Sequence, residues 1–348
     1  MSHDGTGRKT MGKVIAIANQ KGGVGKTTTA AALGDMLYKM GSKVLLIDMD
    51  GQANLTYNMG IERPDKLLST VTDLIIAKAN EQAIDYSTAE ITLKPGLSLF
   101  PANIVLSGLE MSLINVFQRE QILKLIIDDV RSRYDYIIID TSPSLGLLTI
   151  NSLVAADEIV IPVQAQVFAV KGMEQLFRSI SLAKRINPVL QIAGILLTMV
   201  DGRSRSQKDT ILQIDTAFAD TLPKFETMIP LQINGSRAPK EQEAITSFDP
   251  DGAASKAYCN WLTEYIGVTQ YDNLQGKRIE IGDILQMGDN QYLVHYGYYD
   301  RRTRDGKVIR TLGTYVELLT NEMSHNGTDV ICQSMGSFMR RNRYKEGD

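Results

Sequence analysis

The sequence predicts an α/β fold with a mostly parallel, doubly wound sheet, followed by a small β-rich domain. Three observations carry this expectation. Short, nearly all-apolar runs alternate with longer amphipathic stretches from residue 13 onward, which is the pattern of βαβ units. A glycine-rich turn stands between the first apolar run and the first helical stretch. From about residue 273 the helical period gives way to alternating strands and hairpin turn residues. The 348 residues are enough for two domains, taking roughly 100–200 residues for each.

Residues 1–12 are polar and read as a flexible tail. Strands are expected at 14–18, 44–47, 97–100, 136–139, 158–163 and 192–198, each almost wholly apolar, as strands covered by helices on both faces must be. Between the last two, Leu176, Phe177, Ile180, Ala183 and Ile186 recur at helical spacing and stop at Asn187–Pro188. That stripe is the core face of a helix, and the proline marks its end. An amphipathic helix at 253–266 carries the sole tryptophan, Trp261, and closes a first domain of residues 13–268. The second domain, 273–348, shows alternating strands at 278–286, 291–299 and 307–319, with turn residues Gly288, Asp289, Asn290 and then Asp305, Gly306.

Hydrophobic residues at 43% and charged residues at 22% are ordinary globular usage. A net charge of −3 gives no overall attraction to nucleic acid or an anionic membrane, so any such binding must come from a local basic patch. Cys259 and Cys332 lack the spacing of a disulfide framework or a zinc site, which points to a reducing cytoplasm. The opening residues have no apolar leader and no uninterrupted apolar run reaches the ~18 residues of a membrane span. The expectation is a cytoplasmic protein that is neither exported nor membrane-spanning.

The chemistry is concentrated after the first strand, where Gln20 is followed by KGGVGKTTT and then by a helical run to Met40. Strand, glycine loop and helix in that order form a P-loop. A triphosphate needs many donors at close range; glycines let backbone N–H groups approach it, and the helix N-terminus adds a positive dipole end. Lys21, Gly22, Gly23, Val24, Gly25, Lys26, Thr27 and Thr28 are therefore the expected ATP-binding residues. Lys26 would reach the β and γ phosphates, and the Thr27 hydroxyl would ligate Mg²⁺. The strict pattern wants glycine at position 20, so the loop is a variant with an extra lysine, Lys21. Two apolar strands end in carboxylates, Asp48 and Asp50 on one and Asp140 on the other, where open α/β sheets bind ligands. Asp48, Asp50 and Asp140 are therefore the candidates for Mg²⁺ and the attacking water, with Asp140 at the Walker-B-like position that holds the metal directly or through water; the metal ligands expected are Thr27, Asp50 and Asp140.

These residues resemble the ParA/MinD group of deviant Walker ATPases, and more closely the ParA-type partition ATPases, over about residues 13–266. The blocks that carry the resemblance are KGGVGKTTTAAALG at 21–34, VLLIDMDGQANLT at 44–56, DTSPSLGLLTINSL at 140–153, IPVQAQVFAVKGMEQL at 161–176, LLTMVDGRSRSQ at 196–207 and the pair Ile229–Pro230. The resemblance implies a homodimer closed face to face on ATP, in which Lys21 reaches the partner's phosphates as an arginine finger does. It implies that Asp50 orients the attacking water, that Asp140 opens the switch segment sensing the γ-phosphate, and that Pro230 walls the adenine. Catalytic roles then fall to Lys21, Lys26 and Asp50. It further implies a slow ATPase for partitioning a plasmid, chromosome or mobile element. The ATP-bound dimer would coat nucleoid DNA without sequence preference, and a ParB-like centromere-binding protein would stimulate hydrolysis.

The sequence departs from the family in three places. Asp50-Gly-Gln52 stands where the family reads DPQ, and Asp140-Thr-Ser-Pro-Ser144 where it reads DxPPS. The arginine that the family uses on DNA falls on Asn234, and Arg237 replaces a glutamate. Arg237, Arg203, Arg205, Lys208 and Lys240 are the candidates for a rebuilt basic face. In the C-terminal domain, whose role is unknown, Tyr292, Tyr296, Tyr298 and Tyr299 stand near Arg301, Arg302 and Arg304; they are read as strand tyrosines beside a charged hairpin turn, with base stacking and partner docking as the alternatives. No apolar membrane-targeting helix is present there. Two alternatives stay open: a positioning ATPase for a cargo other than DNA, and a nucleotide-gated DNA-binding regulator.

Overall fold

The computed structural model describes residues 11–166, 169–218, 222–232 and 238–275 and five strands beyond them, with side chains described up to Ile266 apart from those at 169–171, 239 and 240. The chain divides into two compact units, Met1–Ser255 and Lys256–Asp348.

In the first unit, strand β1 (Lys13–Ile17) leads through the glycine turn into helix α1 (Lys26–Lys39) and strand β2 (Val44–Met49). Helices α2 (Asn54–Asn58) and α3 (Val71–Ala79) precede the hairpin of β3 (Ile91–Lys94) and β4 (Leu97–Phe100). After α4 (Leu109–Ser112) and α5 (Ile122–Val130) come β5 (Tyr136–Thr141), α6 (Leu147–Ala155) and β6 (Glu158–Gln164). Helix α7 (Ala169–Ile186), strand β7 (Gln191–Thr198), helix α8 (Arg205–Phe218) and the short α9 (Ile245–Phe248) complete the unit.

The seven strands lie in the order β3-β4-β2-β5-β1-β6-β7. Every pairing is parallel except β3 with β4. All six expected strands are present. β3 is an addition, because its half-buried and exposed residues alternate and give no continuous apolar run. Pro95 and Gly96, the latter at φ +97°, turn the chain back into β4.

Val14, Ala16, Leu45, Ile47, Ile137, Ile139, Ile159 and Ile161 are fully buried in the sheet's core. On α7, Leu176, Ile180 and Ala183 join that core and Phe177 packs against it. Ile186, expected in the same stripe, is instead 40% exposed in the last turn of the helix. Helix α1 is buried on nearly all sides. A methyl group on its Gly34 would stand 2.6 Å from Leu46 Cδ2, so glycine permits the close seat of this helix on β2.

Asp35, also on α1 and buried, accepts hydrogen bonds from Thr246 Oγ1 (2.5 Å) and Ser247 Oγ (2.9 Å) of α9. Its ion pair with Lys39 at 2.7 Å completes the tie.

Helix α10 (Ala253–Gln275) runs into the second unit and is longer than the stretch 253–266 that its amphipathic pattern indicated. Along it Trp261 stacks on Tyr265 at 5.8 Å and meets Tyr258 edge-on at 6.2 Å. Beyond it lie β8 (Ile284–Gly288), β9 (Gln291–His295), β10 (Tyr298–Arg302), β11 (Val308–Leu312) and β12 (Val316–Thr320). They form an antiparallel sheet of order β12-β9-β8 and a separate β10-β11 hairpin. The runs expected as single strands at 291–299 and 307–319 are thus two strands each. Among the described residues no helix is long and apolar enough to cross a membrane.

Candidate functional site

The site lies at the carboxyl ends of β1, β2, β5 and β6. Past β1, the buried Asn19 fixes the start of the glycine loop. Its Nδ2 donates to the Pro162 carbonyl of β6 (2.6 Å) and its Oδ1 accepts from the Lys21 N–H (3.0 Å). Gly23 and Gly25 then adopt left-handed backbone, φ +71° and +87°. A Cβ on Gly23 would meet nothing within 4 Å, so the glycine answers a conformational need and not a shortage of space. Gly25 is the N-cap of α1 and no side chain caps that end. The first N–H groups of a long buried helix are therefore left for an anion.

Two lysines flank the loop in different ways. Lys26 is buried, and its Nζ donates to the Lys21 carbonyl at 3.2 Å. Burial lowers its pKa, while Asp140 and Asp50 partly restore it. Lys21 Nζ donates outward to Gln166 Oε1, just beyond β6, at 2.5 Å. From beneath, the Thr198 hydroxyl at the end of β7 donates to the Val24 carbonyl at 2.8 Å.

The carboxylates differ sharply. Asp48 is completely buried and its bonds are internal: Oδ2 accepts from Thr56 N (2.8 Å) and Thr56 Oγ1 (2.7 Å), and Oδ1 accepts from Asp50 N (3.1 Å). Burial pushes its pKa up to about 6 against the pull of these bonds. Asp48 thereby shapes the loop that presents Asp50. Asp50 is half-buried, and its Oδ1 accepts from the Gln52 N–H at 3.0 Å.

Asp140 is also completely buried, and neither of its oxygens has a hydrogen-bond partner among the described residues. Burial first, and Asp48 second, hold its pKa well above the carboxylate range. The Thr27 hydroxyl and the Lys26 ammonium pull the other way without closing a hydrogen bond of ordinary geometry. A buried, unsatisfied carboxylate beside a hydroxyl and an ammonium is costly unless a cation or water completes it. No group of three or more His, Cys, Asp or Glu among the described residues forms a metal cage. The donor set fits a Mg²⁺ ion that arrives with phosphate oxygens and keeps its waters.

Pro230 is brought to the same end of the sheet. It forms a parallel bridge with Val200, and Ile229 N donates to the Leu197 carbonyl at 2.8 Å. The segment thus continues the sheet just past Thr198.

Of the basic candidates, three have their side chains among the described residues. Arg203 is 94% exposed with Nε 3.3 Å from Asp201 Oδ1, and Arg205 and Lys208 are exposed on the first turn of α8. Asn234, Arg237 and the side chain of Lys240 lie outside the described residues.

Three contributors escaped the sequence reading: Asn19, Gln166 and Thr198. Gln166 and Thr198 are polar residues at the ends of apolar strands, the same signal that singled out Asp50 and Asp140.

A family model described as an AAA domain matches residues 12–192. The sporulation initiation inhibitor protein Soj of Bacillus subtilis (strain 168) is 42% identical over 255 residues, which is 73% of this chain and 98% of Soj. The chromosome-partitioning ATPase Soj of Treponema pallidum (strain Nichols) is 39% identical over 251 residues, covering 71% of this chain and 94% of that protein. Among solved structures, cobyrinic acid a,c-diamide synthase from Mycobacterium smegmatis, with a bound ATP analog and magnesium, superposes with a TM-score of 0.64. It is 33% identical, and the match covers 77% of this chain and 98% of that one.

Proposed function

The chain belongs to the Soj/ParA family of partition ATPases, and from that premise we propose that it is an ATP-dependent dimeric switch for DNA partitioning. The observation that best supports the reading is the pairing of α1's uncapped N-terminus with Lys26 on one side and the unsatisfied Asp140 carboxylate on the other. Such an arrangement has its positive groups placed for a polyphosphate, and a buried carboxylate without hydrogen-bond partners placed for the cation that accompanies it.

In this reading, N–H groups of residues 22–28 bind the phosphates of ATP and Lys26 neutralises the β and γ groups. The Thr27 hydroxyl and Asp140, with Asp50 nearby, would hold Mg²⁺, which supplies charge neutralisation at the phosphates. Asp50 orients the attacking water. Pro230 borders the adenine. Lys21 crosses to the phosphates held by the partner protomer, so that hydrolysis waits for dimerisation. Its bond to Gln166 is then a resting contact of the single protomer.

The dimer binds nucleoid DNA through Arg205, Lys208 and neighbouring cations. A ParB-like partner triggers hydrolysis, and the protein is cytoplasmic and nucleoid-associated, with no membrane attachment. ATP state sets DNA affinity, and the partner sets where that state changes.

The test is a single set of measurements on the full chain with and without Mg·ATP: hydrolysis, dimerisation and retention on plain duplex DNA. Asp50→Ala is expected to bind ATP and remain dimeric with little turnover. Normal hydrolysis by Asp50→Ala would remove its assigned role, and an active form that stays monomeric would remove the switch.

A further inference from the structure

Two glycines, one in each carboxylate-bearing loop, lean on the same short piece of chain. A methyl group on Gly51, the residue after Asp50, would lie 2.0 Å from Ser107 Oγ and 2.9 Å from Ser107 N. A methyl group on Gly146, in the loop that follows Asp140, would lie 2.3 Å and 2.7 Å from the two carboxylate oxygens of Glu110. Neither glycine has positive φ, so close approach and not backbone conformation decides both positions: a side chain at Gly51 would crowd the backbone of Ser107, and one at Gly146 would push the carboxylate of Glu110 aside.

Glu110 does more than fill space. Its Oε1 accepts the Leu148 N–H at 3.1 Å, in the first turn of α6, whose N-cap Gly146 offers no side chain of its own. A carboxylate at that end of the helix is stabilised by the exposed N–H groups and the dipole. Leu106, Leu109 and Leu113, flanking Ser107 and Glu110, are buried in the core, so this piece of chain is anchored from below. The contact with Ser107 also accounts for Gly51, which stands where the family reads proline: a ring there has no room.

We propose that residues 107–110 form a strap coupling the Asp50 loop to the Asp140 loop, with Glu110 as a positioning residue for the start of α6. The proposal rests on Asp50 and Asp140 being the carboxylates that respond to the γ-phosphate. Because both glycines already touch the strap, neither loop can advance toward it without displacing it, and the displacement is felt by the other loop.

The test compares steady-state ATP hydrolysis, equilibrium binding of Mg·ATP and thermal melting in the full chain. Glu110→Ala is expected to hold Mg·ATP within about twofold of the parent while kcat falls about tenfold, the rate equivalent of one charge-assisted hydrogen bond. Glu110→Gln keeps an acceptor for Leu148 N–H and is expected to recover most of the rate. Gly51→Ala is expected to slow turnover similarly, and Ser107→Gly in the same chain, which removes the 2.0 Å contact with Oγ but not the one with the backbone N, to restore it in part, a coupling that independent sites would not show. The strap is overturned if Glu110→Ala and Gly51→Ala turn over normally, or if neither Glu110→Gln nor Ser107→Gly rescues. It is also overturned if affinity, rate and melting temperature fall together in every variant. A parent protein that takes up no Mg·ATP would instead defeat the nucleotide reading on which the strap depends.

Discussion

Asp48 and Asp140 are register partners at the ends of neighbouring strands β2 and β5, both completely buried, and only Asp48 is satisfied by hydrogen bonds. Two carboxylates side by side away from water favour retention of protons. The pair costs the empty protein stability, which a bound cation offsets. A site so built is poor as a structural element and well suited to one that fills and empties.

The first prediction follows from Asp48, whose pKa rises on folding from 3.8 to about 6. The folded state binds the proton more tightly, so this contribution is fully present below pH ~4 and is lost as pH rises through about 6. Protein free of nucleotide and metal should therefore gain stability as pH falls from 7 toward 5, by roughly 1 kcal/mol from this group. Urea titrations in the presence of chelator measure it. Asp48→Asn should reduce the dependence and leave the part that Asp140, also raised, contributes; an unchanged slope in that variant would assign the titration elsewhere.

The two lysines should separate by phenotype. Lys26 is buried over the loop with Asp140 and Asp50 as its charge partners, so Lys26→Ala should abolish measurable Mg·ATP binding. Lys21 points away from its own loop to Gln166. Lys21→Ala should therefore bind Mg·ATP within about threefold of the parent, yet lose at least ~100-fold in kcat, the scale of an electrostatic group supplied to the transition state. Calorimetric binding alongside turnover decides it, and equal loss of affinity in both variants would place Lys21 in the loop of its own protomer.

Legibility in the sequence followed physical signal strength. The six central strands were readable because burial on both faces demands apolar runs, and the phosphate loop because glycine, lysine and the flanking strand and helix coincide. β3 was not readable, since an edge strand with one covered face mixes Thr92 and Lys94 with Ile91 and Leu93. Asn19 and Thr198 act through bonds to the carbonyls of Pro162 and Val24, more than 140 positions away in sequence, and no local pattern encodes such a partner. Asp48 and Asp50 looked equivalent as strand-end carboxylates; burial and the bonds from Thr56 to Asp48 distinguish them in the structure. The strap at Ser107 and Glu110 was invisible for a similar reason, because its evidence is the lack of room at Gly51 and Gly146.

A third prediction concerns the seat of the phosphate-loop helix. The buried Asp35 on α1 gathers Lys39, Thr246 and Ser247. Asp35→Ala leaves the ammonium with the Thr246 carbonyl at 3.1 Å as its remaining partner among the described residues and should cost about 2–3 kcal/mol in urea unfolding with an unchanged m-value. A loss under ~0.5 kcal/mol would mean that water replaces the carboxylate fully.

The last prediction tests DNA carriage through its salt dependence. Arg203 already leans on Asp201, whereas Arg205 and Lys208 stand exposed on the first turn of α8. Two free cations on each protomer give four phosphate contacts in a dimer, and log affinity for duplex DNA should fall against log salt with a slope of about −3.6. Replacing either Arg205 or Lys208 by alanine removes two of the four, so the slope should drop to about −1.8 and affinity should weaken equally on unrelated sequences. Filter retention of random duplexes from low to moderate salt, in the presence of Mg·ATP, provides both numbers. A slope near zero in the parent would remove DNA from the proposed cycle. A normal slope in both alanine variants would keep DNA binding but move its contact surface off α8.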